Sequence, residues 1–228
     1  MGGLVLWDID GTLVRSNGVG TEAFRRAVEA VVGSAPAVAP PMAGKTDPQI
    51  AAEWLAALDH DDGPAVVAQV LRLLESELSA AREDLARRGQ ALPGTAELLA
   101  ALSLQGRSQS VCTGNIAPNA AVKLSTFGLD RWLDLEVGAY GSDDPDRRCL
   151  VPVALERFGR QRGLGFSVKE VWVVGDTPLD LACAQAAGVR CVLVGTGGSS
   201  AAELEGLGAD AVVDDLGDVE AMVGLLTR

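Results

Sequence analysis

Four groups of polar residues stand at or near the ends of short apolar runs, where parallel strands of a sheet would end. In open α/β sheets, ligands bind in the crevice outside the carboxyl ends of the strands. We therefore expect these side chains to meet in one site. The groups are Asp8 with Asp10, Thr113 with Gly114 and Asn115, Arg147 with Arg148, and Asp176 with Asp180.

The acidic residues of this set indicate a bound cation. Three or four carboxylates at neighbouring strand ends repel one another and are costly to bury unless a positive charge binds among them. Mg²⁺ prefers oxygen ligands and is typically held by one or two carboxylates together with a substrate phosphate. One carboxylate of the pair Asp8 and Asp10 would then face the substrate as a nucleophile. The other would donate a proton to the leaving oxygen and activate water.

The other polar groups suit an anionic substrate, although each also has a plain structural explanation. Thr113, Gly114 and Asn115 offer a hydroxyl, a backbone N–H and an amide for phosphate oxygens, or they form an ordinary strand-to-helix turn. The two arginines would stabilise developing negative charge, or they are solvated beside the acidic "SDDPD". Asp180 either faces the site or caps the helix that begins beside it.

The elements that must position these residues alternate between strand and helix. Continuous apolar runs predict strands buried on both faces, and helical patterns begin between them near Thr95, Ala117, Cys149 and Thr177. This alternation predicts an α/β fold, a doubly wound, Rossmann-like parallel sheet with helices on both faces. The predicted strands include residues 4–7, 108–115, 133–141, 171–177 and 190–197.

Residues 16–89 interrupt this alternation with three helical stretches and no convincing strand. The stretches cover about 21–32, a helix starting at "DPQI" with Asp47 as its cap, and a long helix after Pro64 that runs through Leu85. We expect this all-helical insertion to form a cap domain over the carboxyl end of the sheet. Residues 1–15 and 90–228 would form the core domain.

Composition excludes several classes of partner. The formal net charge is −12, with 31 acidic residues against 19 Lys and Arg, which argues against nucleic acid and anionic membranes as partners. The four cysteines lack CxxC spacing and are expected to be reduced core thiols. We find no secretion signal and no apolar run long enough to span a membrane, and we expect a cytoplasmic protein. Monomer and homodimer remain equally open.

In this order and spacing, the motifs closely resemble those of the haloacid dehalogenase-like hydrolase superfamily. The resemblance is to its phosphatases with a helical cap of the phosphoglycolate-phosphatase type. "WDIDGTL" is similar to the first motif of that superfamily, "VCTGN" to the second, the arginine pair to the third and "VVGDTPLD" to the fourth. The resemblance implies a Mg²⁺-dependent phosphatase that acts on a small phosphorylated metabolite.

The resemblance also implies individual roles. Asp8 would form an aspartyl-phosphate, and Asp10 would act as acid and base while its backbone carbonyl binds Mg²⁺. Asp176 would bind Mg²⁺ through its carboxylate, and Asp180 directly or through water. Thr113 would hydrogen-bond the transferring phosphoryl group, with Gly114 and Asn115 also binding substrate.

Two further segments, the third motif and a loop of the insertion, give expected substrate contacts under this resemblance. Many relatives have a lysine in a third motif written "GKP", whereas this chain has "GSDDPDRRCLVP". We expect Arg147 to replace that lysine, with Arg148 as the second choice, since arginine holds phosphate in a fork. In "AGKTDPQI", which is similar to a substrate-contacting cap loop, Lys45 or Thr46 is expected to touch the substrate.

Other readings remain. A dehalogenase needs no acid at Asp10, so Asp10 favours phosphate chemistry, but a sugar-phosphate mutase keeps both aspartates. A non-catalytic binding protein of the same fold is also open. The acidic "DHDDG" at 59–63 is interpreted as an exposed turn, not a second metal site, and "GTGGSS" at 195–200 as the loop after the last strand.

Overall fold

A central sheet of parallel strands organises the molecule, whose computed structural model describes residues 3–60, 63–162 and 166–228. In this described part, the sheet has six strands in the order β5-β4-β1-β6-β7-β8, and all neighbouring strands are parallel. The strands are β1 Leu4–Trp7, β4 Ser108–Thr113, β5 Ala139–Tyr140, β6 Val171–Gly175, β7 Arg190–Val194 and β8 Ala211–Val213.

Strand β1 lies at the centre because every one of its residues is apolar and buried. Consecutive β1 residues pack alternately into two apolar clusters, Val5 and Trp7 in one, Leu4 and Leu6 in the other, as the two-residue period of a strand requires. Its last residue, Trp7, pairs in register with residues of both β4 and β6. The polar residues that follow these three strands therefore emerge at one edge of the sheet.

Helices cover the two faces of the sheet, which confirms the predicted α/β architecture. They are α5 Thr95–Leu104, α6 Ala117–Thr126, α7 Leu150–Arg162, α8 Pro178–Ala187, α9 Ala201–Leu204 and α10 Val219–Leu226. Helix α8 begins with a capping box of Thr177 and Asp180 and ends at Gly188, whose φ of 68° is the left-handed conformation that favours glycine. Within the described ranges, no helix has the length and apolarity needed to cross a membrane.

A helical insertion, α1–α4, leaves and rejoins the core through a short antiparallel ribbon. The ribbon pairs β2 Val14–Arg15 with β3 Gln90–Ala91. The helices are α1 Val19–Val32, α2 Asp47–Ala56, α3 Pro64–Ala80 and α4 Arg82–Arg88, and their apolar faces share one cluster that includes Phe24, Trp54 and Leu74. The boundaries of 16–89 for a cap domain stay a prediction.

Inside the helical insertion, two sequence-based details are wrong. The long helix expected after Pro64 is divided at Ala81, whose ψ of 9° departs from helical values, and this break starts a separate α4 that still buries Leu85. The cap of α2 is Thr46, whose hydroxyl accepts from the backbone N–H of Gln49; Asp47 is instead the first helical residue and is buried.

Around the edges of the sheet, three more expectations need correction. The strand expected over 133–141 is reduced to β5, because Asp134 binds the flank of β4 through Gln109 and Ser110 before the chain reaches the sheet. Strand β8 follows the "GTGGSS" loop, so β7 is not the last strand. Cys149 is exposed, because it lies in a 3-10 turn at the surface, while the other three cysteines are buried.

Candidate active site

Three buried carboxylates meet at the carboxyl edge of the sheet. Asp8 follows β1, Asp176 follows β6, and Asp180 lies in the first turn of α8. One oxygen of each lies within 4.8 Å of the others, which is close enough to share one cation. Among the aspartates expected to bind metal, only the carboxylate of Asp10 falls outside this cluster within the described residues.

Asp180 both caps helix α8 and faces the site, the two alternatives that its sequence position left open. Its Oδ2 accepts hydrogen bonds from the backbone N–H (3.0 Å) and the hydroxyl (2.7 Å) of Thr177, which caps α8. Its Oδ1 faces the cluster and pairs with Arg147. The capping bonds thus fix the orientation of a carboxylate that also belongs to the site.

The backbone around Asp176 leaves room for its carboxylate only because of glycines. A Cβ at Gly197 would lie 1.7 Å from Asp176 Oδ2, and one at Gly11 would lie 2.5 Å from the same atom. The hydroxyl of Thr12 donates to Asp176 Oδ1 at 3.1 Å. The turn after β1 and the loop after β7 therefore form a cradle for this carboxylate.

The electrostatics of the cluster favour a positive partner. Burial, followed by the charges of Asp8 and Asp180, raises the pKa of Asp176 to about 8. Burial also raises the pKa of Asp8 to about 6, although the neighbouring Arg147 opposes the shift. A divalent cation bound among these oxygens would favour their ionised forms, so the residues present fit such an ion.

Arg147 already supplies one positive charge to the cluster. Its Nη2 lies 3.0 Å from Asp8 Oδ1 and pairs with Asp180, while its Nη1 donates to the backbone carbonyl of Gly44 at 2.8 Å. Burial lowers the pKa of Arg147, but the carboxylates of Asp180 and Asp8 outweigh this and raise it. Arg148 is exposed and pairs with Asp146, so it does not reach the site.

The structure brings to the site a residue that sequence reasoning missed, Lys123 of α6. Its Nζ lies 2.5 Å from Asp10 Oδ2 and 2.6 Å from Asn115 Oδ1, and its side chain is only 8% exposed. The sequence contained a feature that could have identified it. Lys123 falls between Ala120 and Leu124 on the buried face of a helix that begins at the site, where a charged residue needs a partner. Lys123 thus places a cation beside Asp10, whereas Arg147 lies beside Asp8.

Asp10, whose carboxylate lies outside the carboxylate cluster, is held by a network of donors. Its Oδ2 accepts from Lys123 and from Asn115 Nδ2 (2.8 Å), and its Oδ1 accepts from the Ser16 hydroxyl (3.0 Å). Burial would raise the pKa of Asp10, but the charge of Lys123 and these hydrogen bonds outweigh it and lower the pKa below its usual value. Asp8 and Asp10 thus have different electrostatic environments, which raise the pKa of Asp8 and lower that of Asp10.

The segment from Thr113 to Asn115 links this network to the helical insertion. Asn115 Nδ2 also donates to the buried Thr113 hydroxyl at 2.8 Å. Gly114 permits a close backbone approach, since a Cβ there would lie 2.0 Å from the carbonyl oxygen of Lys45, and its own carbonyl accepts from the N–H of Asp47 at 2.7 Å. The end of β4 and the loop before α2 are therefore in direct contact.

The two residues expected to contact substrate from this loop differ in position. Lys45 lines the pocket described below and pairs with Glu53 of α2. Thr46 is fully buried; its hydroxyl caps α2 and donates to the backbone carbonyl of Pro145 at 2.7 Å. Of the two, Lys45 alone lies on the pocket wall.

A pocket of about 320 Å³ joins these groups between the sheet edge and the helical insertion. Its floor includes Asp8, Asp10, Thr113, Lys123 and Asp176. Its opposite wall comes from α1, α2, α3 and the loop before α2. The "GTGGSS" loop, interpreted from sequence only as a connection, reaches the rim with residues 196–198. The pocket therefore brings an acidic cluster and an aspartate–lysine pair to one shared volume.

A sequence model of haloacid dehalogenase-like hydrolases matches residues 5–185, which is most of the chain and includes all the motifs above. The chain belongs to the haloacid dehalogenase-like hydrolase family. Membership in this family confirms the resemblance drawn from the motifs and the expectation of a hydrolase.

Relatives and solved structures agree with this family. The hydrolase is 31% identical over 233 residues to the phosphoglycolate phosphatase of Rhodospirillum rubrum, covering 96% of this chain and 90% of that protein. Its fold is similar to that of CbbY from Rhodobacter sphaeroides, with a TM-score of 0.75 and 20% identity over 96% of both chains. A hydrolase from Pseudomonas syringae gives a TM-score of 0.73 at 20% identity over the full length of both.

Proposed function

We propose that this hydrolase is a Mg²⁺-dependent phosphatase that cleaves the phosphate monoester of a small metabolite through an aspartyl-phosphate on Asp8. The observation that carries the proposal is the pairing of two unlike aspartates on one pocket floor. Asp8 lies in the acidic cluster with Asp176, whereas Asp10 is bound by Lys123 and Asn115. The phosphoglycolate phosphatase of Rhodospirillum rubrum, 31% identical, supports phosphate ester chemistry.

Asp8, Asp176 and Asp180 would hold the Mg²⁺ ion. When bound, Mg²⁺ would neutralise the carboxylates and offset negative charge on the phosphoryl oxygens. The carboxylate of Asp10 faces Lys123 instead, so any contribution of Asp10 to metal binding would come from its backbone carbonyl. The proposed carboxylate ligands are therefore three, with Asp10 contributing only the backbone carbonyl that the resemblance implied.

Asp8 would attack phosphorus through one carboxylate oxygen, and the bond from phosphorus to the leaving oxygen would break. Asp10 would give its proton to that leaving oxygen and release a neutral alcohol. Asp10 would then take a proton from water, which attacks the aspartyl-phosphate, frees Asp8 and yields inorganic phosphate. The same carboxyl thus serves as acid and base in successive steps.

Lys123, Asn115 and Thr113 would surround the transferring phosphoryl group beside Asp10. Positioned donors contribute most where negative charge develops in a site that excludes water. A phosphate arriving between Lys123 and Asp10 would share the ammonium charge, which weakens the hold of Lys123 on Asp10 and favours protonation of that aspartate. Arg147 would keep Asp8 oriented through their 3.0 Å ion pair.

The test is phosphate release from p-nitrophenyl phosphate and a panel of metabolite phosphates, with Mg²⁺ and with a chelator. Wild type should release phosphate only with Mg²⁺, and Asp8→Asn should be inactive while keeping the same circular dichroism spectrum. Equal inactivity of both proteins across the panel would refute the proposal. An isomerised product in place of inorganic phosphate would identify a sugar-phosphate mutase.

The cellular setting follows from chemistry on the surface and in the core. Cys112, Cys149, Cys183 and Cys191 are all free thiols, which supports a reducing compartment such as the cytoplasm. The excess of acidic residues argues against nucleic acid and anionic membranes as partners. The family and its phosphoglycolate phosphatase relative support a small phosphorylated metabolite as the substrate. Size-exclusion chromatography with light scattering would decide between monomer and homodimer.

A further inference from the structure

The wall of the pocket that faces the proposed phosphate-binding floor carries a group of five apolar side chains. Phe24 of α1, Ile50 of α2, and Leu74 and Leu78 of α3 all line it, and all belong to the buried cluster of the helical insertion. Met42, in the loop before α2, adds its thioether beside them. A leaving group bound with its phosphate over Asp8 would therefore extend against aliphatic and aromatic carbon.

Three of the four cations on the described pocket lining are paired with carboxylates. Lys123 pairs with Asp10, Arg147 with Asp8 and Asp180, and Lys45 with Glu53. The remaining cation of the described lining, Arg15, belongs to the core ribbon and donates to the backbone carbonyl of Thr196.

The lining also carries carboxylates, Asp47 among them. Asp47 is buried and accepts a hydrogen bond from the backbone N–H of Ile116 at 2.8 Å. A second negative group that extended from the floor towards the helical insertion would thus meet mostly carbon, and Lys45 on that side is already paired with Glu53. Burying an unpaired carboxylate in such surroundings is strongly unfavourable.

We infer that the substrate is the phosphate ester of a neutral alcohol with a compact apolar body, an inference that rests on the proposed function. The pocket volume lies near the lower limit for small-molecule sites, which suits a phosphate with a branched alkyl group or a single ring. The phosphate would bind at the floor, and the alcohol would fill the space beside Phe24, Ile50 and Leu78. Phosphoglycolate, whose alcohol carries a carboxylate, would be a poor substrate.

A matched pair of esters tests this inference. Isobutyl phosphate and phosphoglycolate have leaving groups of similar shape, one neutral and one anionic. With Mg²⁺, wild type should have a kcat/KM at least about tenfold higher for isobutyl phosphate, since even one methylene group in an apolar pocket changes kcat/KM by about that factor.

Variants with a lysine on the apolar wall test whether this wall causes the preference for isobutyl phosphate. Met42→Lys places a cation on the wall and should lower the preference for isobutyl phosphate at least about tenfold. Val38→Lys is the control, because Val38 belongs to the same inter-helix loop but is 84% exposed and does not line the pocket. The substrate preference of this variant should equal that of wild type. Should Met42→Lys fail to fold, Thr21→Lys places the cation on the same wall from α1.

The outcomes separate the two levels of inference. A wild-type preference for phosphoglycolate would overturn the neutral alcohol and leave the phosphatase intact. An unchanged ratio in the folded lysine variant would likewise overturn the role of the wall. Failure to release phosphate from any ester, p-nitrophenyl phosphate included, would overturn the proposed function itself.

Discussion

The Nζ of Lys123 lies 2.5 Å from Oδ2 of Asp10, although the two residues are 113 positions apart in sequence. The pair is bridged by Asn115, which contacts both partners. It places a buried cation next to the proposed acid and base, outside the cluster of Asp8, Asp176 and Asp180. This arrangement gives one pocket floor two electrostatically distinct halves.

Replacing Lys123 should reduce turnover severely. We expect Lys123→Ala to lower kcat by about 10² to 10³, the effect of removing one donor to developing negative charge. Because Lys123 also lowers the pKa of Asp10, its loss should raise that pKa and shift each limb of the pH–rate profile that depends on Asp10 to higher pH. Steady-state kinetics with p-nitrophenyl phosphate from acidic to alkaline pH measure both effects.

The exposed Lys169 provides the control for that variant, since Lys169→Ala removes the same charge far from the pocket. Lys123→Arg should recover part of the rate. A Lys123→Ala enzyme with the kcat and pH profile of Lys169→Ala would contradict the role of this lysine.

Replacing each of two neighbouring glycines by alanine should affect Mg²⁺ binding differently. At Gly197 the new Cβ would lie 1.7 Å from Asp176 Oδ2 and displace that carboxylate, whereas Gly198 has open space around it. We expect Gly197→Ala to weaken Mg²⁺ binding by about 10- to 100-fold, as disturbing the support of a ligand does. Gly198→Ala should bind as wild type does. Calorimetric titration with Mg²⁺ compares them, and equal dissociation constants would exclude Asp176 as a ligand.

Arg147 and Arg148 are adjacent in sequence, but replacing them by alanine should change the stability of the protein by very different amounts. Arg147→Ala leaves Asp8 and Asp180 without their buried counter-charge, which should lower the free energy of unfolding by about 3–5 kcal/mol in metal-free protein. Arg148→Ala breaks only an exposed ion pair with Asp146, so it should change the free energy of unfolding by about 0–1 kcal/mol. Urea unfolding measures both, and Mg²⁺ should restore part of the loss for Arg147→Ala alone. Similar losses would argue that Arg147 is not the counter-charge.

Without metal, stability should fall as the pH rises from about 4 to about 8. The pKa of Asp8 is raised to about 6 and that of Asp176 to about 8 from an ordinary 3.8, chiefly by burial. Over this range the folded state keeps protons that the unfolded state has released, so ionisation favours unfolding. Mg²⁺ binds the ionised cluster, and it should therefore raise the Tm more at pH about 8.5 than at pH about 5.

Thermal unfolding at the two pH values, with and without Mg²⁺, checks this dependence. Asp176→Asn is the matched variant, since it removes the group with the larger shift and should flatten the pH dependence of Tm. An equal Mg²⁺-induced rise at both pH values would show that the cluster does not bind the ion in competition with protons.

Much of the fold could be predicted because its signals are local. Continuous apolar runs identified β1, β4, β6 and β7, and parallel order then required that the residues after them share one edge. Asp8, Thr113 and Asp176 were found in this way. The strand over 133–141 was overpredicted, because a short apolar run does not reveal how much of it reaches the sheet.

The sequence by itself determined that Asp8 and Asp176 would converge, since each directly follows a strand whose neighbours are parallel. Only the tertiary structure decided which cation meets which carboxylate. Lys123 reaches Asp10 because α6 packs with that lysine towards the floor, and Arg147 enters the acidic cluster because the turn that carries it lies against α8. Ion pairing depends steeply on distance in a poorly solvated interior, and the distances between remote segments are set by packing, not by local sequence.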